Sequence, residues 1–187
     1  MEVSSCSLNN MNIFALSRNP KTAAHMMCDK HVVKMIIETC QILSAVMDSR
    51  GSDSKQFGLP QYPKAHAKHP STLWAMKSLG NYKWLVKHLE GLVTEYRQRY
   101  NKVHKLEGCL MVYRGQIDNL KFNKTRRTEF VQAITNKKWH RKNPIDGYRT
   151  YYNMEKFVFA KWKLGNIPSW YTGGPKYEVL LERENYG

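Results

Sequence analysis

Between Cys28 and Gln41 the chain sets several reactive side chains at helical spacing. His31, Lys34, Glu38 and Gln41 lie three or four residues apart, so an imidazole, an ammonium, a carboxylate and an amide fall on one stripe of a helix. A carboxylate flanked by such groups could activate water or stabilise positive charge on a sugar ring. Cleavage of an N-glycosidic bond needs the second of these, because it passes through an oxocarbenium-like state; the argument is that of glycoside hydrolysis. Lys30 or Lys34 could instead attack C1′ if burial or a neighbouring cation lowered its pKa. Asp29 is the alternative carboxylate. The same spacing also fits an ordinary exposed Lys34–Glu38 pair, worth a few tenths of a kcal/mol, beside a satisfied boundary histidine. His25, Cys28, Asp29 and His31 are metal-type ligands, but two histidines six residues apart on a helix point about 120° apart. Neither a metal nor a cofactor is expected.

Helices must carry these groups. Asn19-Pro20 is a helix start, an N-cap followed by proline at the first helical position. Ala24, Cys28, Val32, Met35, Ile36, Thr39, Leu43 and Val46 then define one buried face, which predicts a helix from Pro20 to Asp48. Ser49 to Lys68 reads as a loop whose basic end, through His69, could meet phosphate. A second long helix is predicted from Ser71, its N-cap, to Asn101, with Gly80 and Gly91 allowing close packing against another helix. Its off-core residues, Asn81 among them, are mainly basic. Shorter helices are predicted at Leu106–Leu120 and, weakly, at Glu129–Asn136. Asp146 opens a last helix, Tyr148–Lys163. Met11–Leu16 reads as a short strand or an extended lead-in, and no alternation supports a sheet. The expected fold is mainly α, a single-domain helical bundle with long helices: residues 1–10 a disordered extension, residues 11–187 one helical domain.

Composition narrows the partners. The 187 residues carry a net charge of +15, with 30 basic residues against 15 acidic, which favours a polyanion. Lys121, Lys124, Arg126, Arg127, Lys137, Lys138, Arg141 and Lys142 cluster in one segment around a single acid, Glu129. Phe122, Phe130, Trp139 and His140 are interleaved and could stack on or wedge between bases while the cations meet phosphates. In the last helix Tyr148, Tyr151 and Tyr152, with Arg149 and Lys156, could hold an everted base, though core packing explains the tyrosines equally well. Cys6, Cys28, Cys40 and Cys109 show no paired spacing and read as intracellular thiols. No apolar run is long enough to span a membrane, and no signal peptide is visible. Glycine-rich phosphate loops and nucleotide-binding fingerprints are missing, which argues against nucleotide hydrolysis.

Three patches together carry a resemblance. They are Met11-Asn-Ile-Phe with Cys28-Asp-Lys-His-Val-Val-Lys-Met-Ile-Ile-Glu38; His69-Pro-Ser-Thr-Leu-Trp74 with Asn81-Tyr-Lys-Trp-Leu85; and Tyr148-Arg-Thr-Tyr-Tyr152 with Glu155-Lys156, Phe159-Ala-Lys-Trp162 and Pro168-Ser-Trp170. The pattern resembles a family of small helical proteins of tailed phages and large DNA viruses, some of whose members are labelled pyrimidine-dimer DNA glycosylases. The resemblance implies an enzyme of the infected host's cytoplasm or nucleus, acting on a damaged or modified base in double-stranded DNA. Glu38 would be the main carboxylate, assisted by His31 and Lys30 or Lys34. A transferase that modifies viral DNA bases and a non-catalytic nucleic-acid or host-binding protein are the alternatives. The well-studied viral dimer glycosylase attacks through an N-terminal α-amine assisted by a glutamate, but this sequence does not visibly resemble that enzyme. It carries ten residues ahead of Met11 and no small residue after Met1. A lysine or an activated water is therefore the expected nucleophile.

Overall fold

The computed structural model describes residues 11–62 and 67–174. Among them are six α-helices: α1 Pro20–His25, α2 Asp29–Ser49, α3 Pro70–Met76, α4 Leu79–Tyr100, α5 Cys109–Gly115 and α6 Pro144–Tyr151. Short 3-10 turns cover Ser54–Phe57 and Lys137–Trp139, and a π-helical turn, Tyr152–Lys156, continues α6. The fold is mainly α, and one hydrophobic cluster runs from Met11 to Trp162. The extension expected at residues 1–10 and the loop residues Lys64 and His66 lie outside the described residues.

Both long helices break where the sequence reads as continuous. Asn19 does cap α1, its side chain accepting from the Lys21 and Thr22 amides. The helix then stops, because distant side chains take its terminal carbonyls. Arg99 of α4 donates to the His25 and Met27 carbonyls, and the Trp162 indole donates to that of Met26. Cys28 turns extended, and α2 starts afresh at Asp29. Likewise Arg50 donates to the Met76 carbonyl at the end of α3, and Ser78 caps α4 by accepting from the Asn81 amide. The α3 cap is His69, one residue before Pro70, and not Ser71. Leu106–Leu120 shortens to α5. Asn143 caps α6 ahead of Pro144, upstream of the start expected at Asp146.

α4 is the spine against which α1, α2, α3 and α5 pack. Gly91 permits the closest approach: a Cβ there would stand 2.8 Å from the Ala24 Cβ of α1. Gly80 admits a loop and not the expected helix, since its Cβ would meet the Arg127 backbone nitrogen at 2.3 Å. That loop is the basic segment. It forms no helix over 129–136, against the expectation, because side chains of several elements capture its backbone. Thr128 donates to Asn81, Trp74 donates to the Glu129 carbonyl, and the Tyr148 hydroxyl bridges Val131 and Ala133.

Met11–Leu16 is wholly buried and forms no strand. The Asn12 side chain accepts from the Ile13 and Phe14 amides, which bends the chain. Phe14 is thereby held at φ 39°, a left-handed conformation rare for an aromatic residue. Strain of this kind costs on the order of 1–3 kcal/mol and clusters at functional sites.

Candidate active site

The lead-in lies across α2 and meets its reactive stripe. The Asn12 backbone N–H donates to Glu38 Oε2 at 2.9 Å, and the Asn12 side chain ties the same turn to the Ala133 carbonyl. Glu38 Oε1 lies 3.1 Å from Lys34 Nζ. The carboxylate is nearly buried, with 11% of its side chain exposed, whereas Lys34 is 47% exposed. The pair thus joins a protected acceptor to an accessible cation. Lys30, Lys34, Ile37 and Gln41 line the outer face of α2, with Gln41 bound to the Gln61 carbonyl of the flanking loop.

His31 sits behind this pair. Its ring stacks on Phe14 at 4.2 Å, meets Phe159 edge-on at 5.4 Å and shares a hydrogen bond through Nδ1 with the Tyr152 hydroxyl. Burial, with Lys156 and Lys34 nearby, lowers its pKa to about 3. The imidazole is therefore neutral at ordinary pH and is not a cationic acid. The Tyr152 hydroxyl titrates far above its usual range, first because it is buried. The π-helical turn aims Tyr152 inward while Lys156 lies over the Tyr151 ring at 4.2 Å. Lys30 lies 5.2 Å from the Phe159 ring. Lys30, Lys34 and Lys156 thus lie about the aromatic cluster of His31, Phe159 and Tyr151.

Asp29 goes elsewhere. Its carboxylate accepts from Arg99 at 3.0 Å and from the Lys163 amide at 2.9 Å, which anchors the start of α2. Tyr148, Tyr151 and Tyr152 are core residues, so the base-holding reading of that helix fails for them. Arg149 pins the lead-in by donating to the Leu16 carbonyl, and its guanidinium covers the Trp170 ring.

The basic segment divides its residues by direction. Lys121, Lys124, Arg126, Lys137, Lys138, Arg141 and Lys142 are exposed. Arg127 is half-buried and lies over the Phe130 ring at 4.5 Å. The expected stacking aromatics point inward: Phe130 and Trp139 are buried, and the Trp139 indole donates to Glu155. His140 pairs with the Ile134 carbonyl. Asn81 is fully buried, with both its oxygen and its nitrogen bonded to the protein, so it is not a nucleic-acid contact. His69 caps α3. Arg18, Arg141 and Lys142 line a cleft of about 660 Å³ with Glu129 and Asp146. Among the described residues no cluster of three or more His, Cys, Asp or Glu side chains could hold a metal. No described helix is long and apolar enough to cross a membrane.

Sequence reasoning missed three contributors: the Asn12 amide, the Phe14 ring and the Phe159 ring. Asn12 and Phe14 belong to the Met11-Asn-Ile-Phe patch, which the resemblance marks without assigning a role.

A buried carboxylate paired with an exposed amine on a basic helical surface fits chemistry on DNA. Over residues 11–108 the chain matches the pyrimidine dimer DNA glycosylase family, and it belongs to that family. The matched span holds the lead-in, α1 to α4, and with them Asn12, His31, Lys34 and Glu38. Neither the curated proteins nor the solved structures contain a match to it.

Proposed function

We propose that the chain is a DNA glycosylase that excises a damaged pyrimidine from duplex DNA, with Glu38 as its central carboxylate. The observation that carries this reading is the Lys34–Glu38–Asn12 arrangement, a nearly buried carboxylate held between an exposed amine and a backbone amide. Glu38 takes a proton from Lys34, and the free amine attacks C1′. The C1′–N bond breaks, and the base leaves with the bonding electron pair and the proton that Glu38 holds. The C1′–O4′ bond then breaks, O4′ takes a proton from the attached nitrogen, and a protonated imine remains on Lys34. Having returned its proton, the Glu38 carboxylate opposes the positive charge of that imine. His31 is a positioning residue: neutral and stacked on Phe14, it holds the lead-in that presents Asn12 to Glu38. Exposed cations of the 121–142 segment, with Lys30 and Lys156, meet the phosphates.

The Asn12 contact favours a second reading of the nucleophile. The family match begins at residue 11. A chain trimmed behind Met11 would carry its α-amine where the Asn12 amide now sits, 2.9 Å from Glu38. The attacking group would then be that amine, as in the viral dimer glycosylase. Nothing in the site favours a base-modifying transferase.

One experiment separates these. A duplex bearing a thymine dimer is incubated with the full chain and with a chain starting at Asn12, borohydride is added, and the adduct is peptide-mapped. A cross-link on Lys34 supports the first reading, and one on Asn12 the second. Glu38→Gln should lower excision on the order of 100-fold or more while leaving DNA affinity nearly intact. Full activity in that variant overturns both.

A further inference from the structure

The turn after the π-helical segment carries an apolar tip that the core does not use. Val158 is 71% exposed, although the residues on either side of it are anchored. Phe157 packs on Gly174, where a Cβ would stand 3.1 Å from its ring. Phe159 packs on the His31 ring at 5.4 Å and lies beneath Lys30. Lys156 lies two residues before the tip, near the His31 ring on which Lys34 also acts. An isolated exposed valine is ordinary. This one is packed on both flanks, lies in a segment that carries Lys156 and meets Lys30, and is one residue from a ring that touches the site.

Geometry of this kind suits a double-stranded polyanion with an apolar interior. Lysines attract phosphates, and a branched apolar side chain can enter between bases that have been parted. Proteins that unstack DNA insert apolar side chains in this way, and a displaced base leaves a gap that must be filled.

We propose that Val158 is a wedge that enters duplex DNA beside the reacting nucleotide and takes the stacking place of a displaced base. It is a positioning residue, and its role rests on the glycosylase reading above. The π-helical turn sets its direction, because the same turn that buries Tyr152 against His31 delivers Phe157 and Phe159 to their anchors.

The test uses 2-aminopurine placed opposite a thymine dimer, since its fluorescence rises when it leaves the stack. Wild-type chain should raise the signal and excise the lesion. Val158→Ala should lose most of the fluorescence rise and several-fold in single-turnover excision. Thermal stability should be unchanged, because the side chain is exposed, and Val158→Leu should restore both signals. If wild type raises the signal and Val158→Ala matches it in fluorescence and rate, the wedge is wrong and the glycosylase reading stands. If wild type neither unstacks nor excises, both fall.

Discussion

α2 carries two ion-paired centres built from similar residues, and they differ in what surrounds the cation. At its N-terminus Arg99 is completely buried. It donates to Glu95, to Asp29 and to the His25 and Met27 carbonyls. Every direction of the guanidinium fork is used, so the centre can only hold the chain. Less than two turns further on, Lys34 pairs with Glu38 while its own side chain stays about half exposed. That pair adds little to stability, yet its cation is free to move toward a ligand. The rigid centre fixes where α2 begins, and this in turn sets the angle at which the open centre faces outward. Saturated donors make structure; accessible ones can do chemistry.

Three variants would break or sharpen this contrast. Arg99→Met should have the largest effect. It strands the Glu95 and Asp29 carboxylates in a buried region, and the expected loss is about 3–5 kcal/mol in guanidinium chloride unfolding. A loss below about 1 kcal/mol would remove the argument that Arg99 breaks the helix.

Next comes acid sensitivity at the open centre. His31 has a folded pKa of about 3 against an ordinary value of 6.5, so the unfolded chain binds the proton more readily. Stability is full above pH 6.5 and declines as the pH falls toward 3, at up to about 1.4 kcal/mol per unit for this one group. His88, buried and lowered to about 4, adds a similar slope. His31→Phe keeps the ring against Phe14 but removes one titrating group. Urea unfolding between pH 6 and pH 4 should therefore show a shallower slope than wild type, and an unchanged slope would contradict a neutral buried His31.

The smallest effect is expected for Lys34→Met. Partly exposed ion pairs contribute roughly 0–1 kcal/mol, so its unfolding midpoint should barely move. A large destabilisation would mean that Lys34 belongs to the structural class after all.

The stripe on α2 was readable because helical period is a local property. His31, Lys34 and Glu38 do share one neighbourhood, as their spacing predicts. The break before Asp29 was not readable, since its cause, Arg99, lies 72 residues from Met27. The basic segment showed its charge but hid its form. Its backbone partners come from α3, α4, α6 and the lead-in, and those captures outweigh any local tendency to coil. Aromatic residues misled for a related reason: Phe130 and Trp139 have the composition of stacking platforms but fill the core. Family resemblance marked the lead-in where periodicity had little to say.

The π-helical turn at Tyr152–Lys156 has a consequence for how this protein can vary. A π turn holds one residue more than an α turn, so the stretch is in effect an insertion kept at the C-terminal end of α6. Deleting any one residue there would let α6 run on in ordinary register. Everything downstream would rotate by roughly 100° about the helix axis. Lys156 would leave Tyr151, and Phe159 would leave His31. A change in the length of this turn would dismantle that side of the site in a single step.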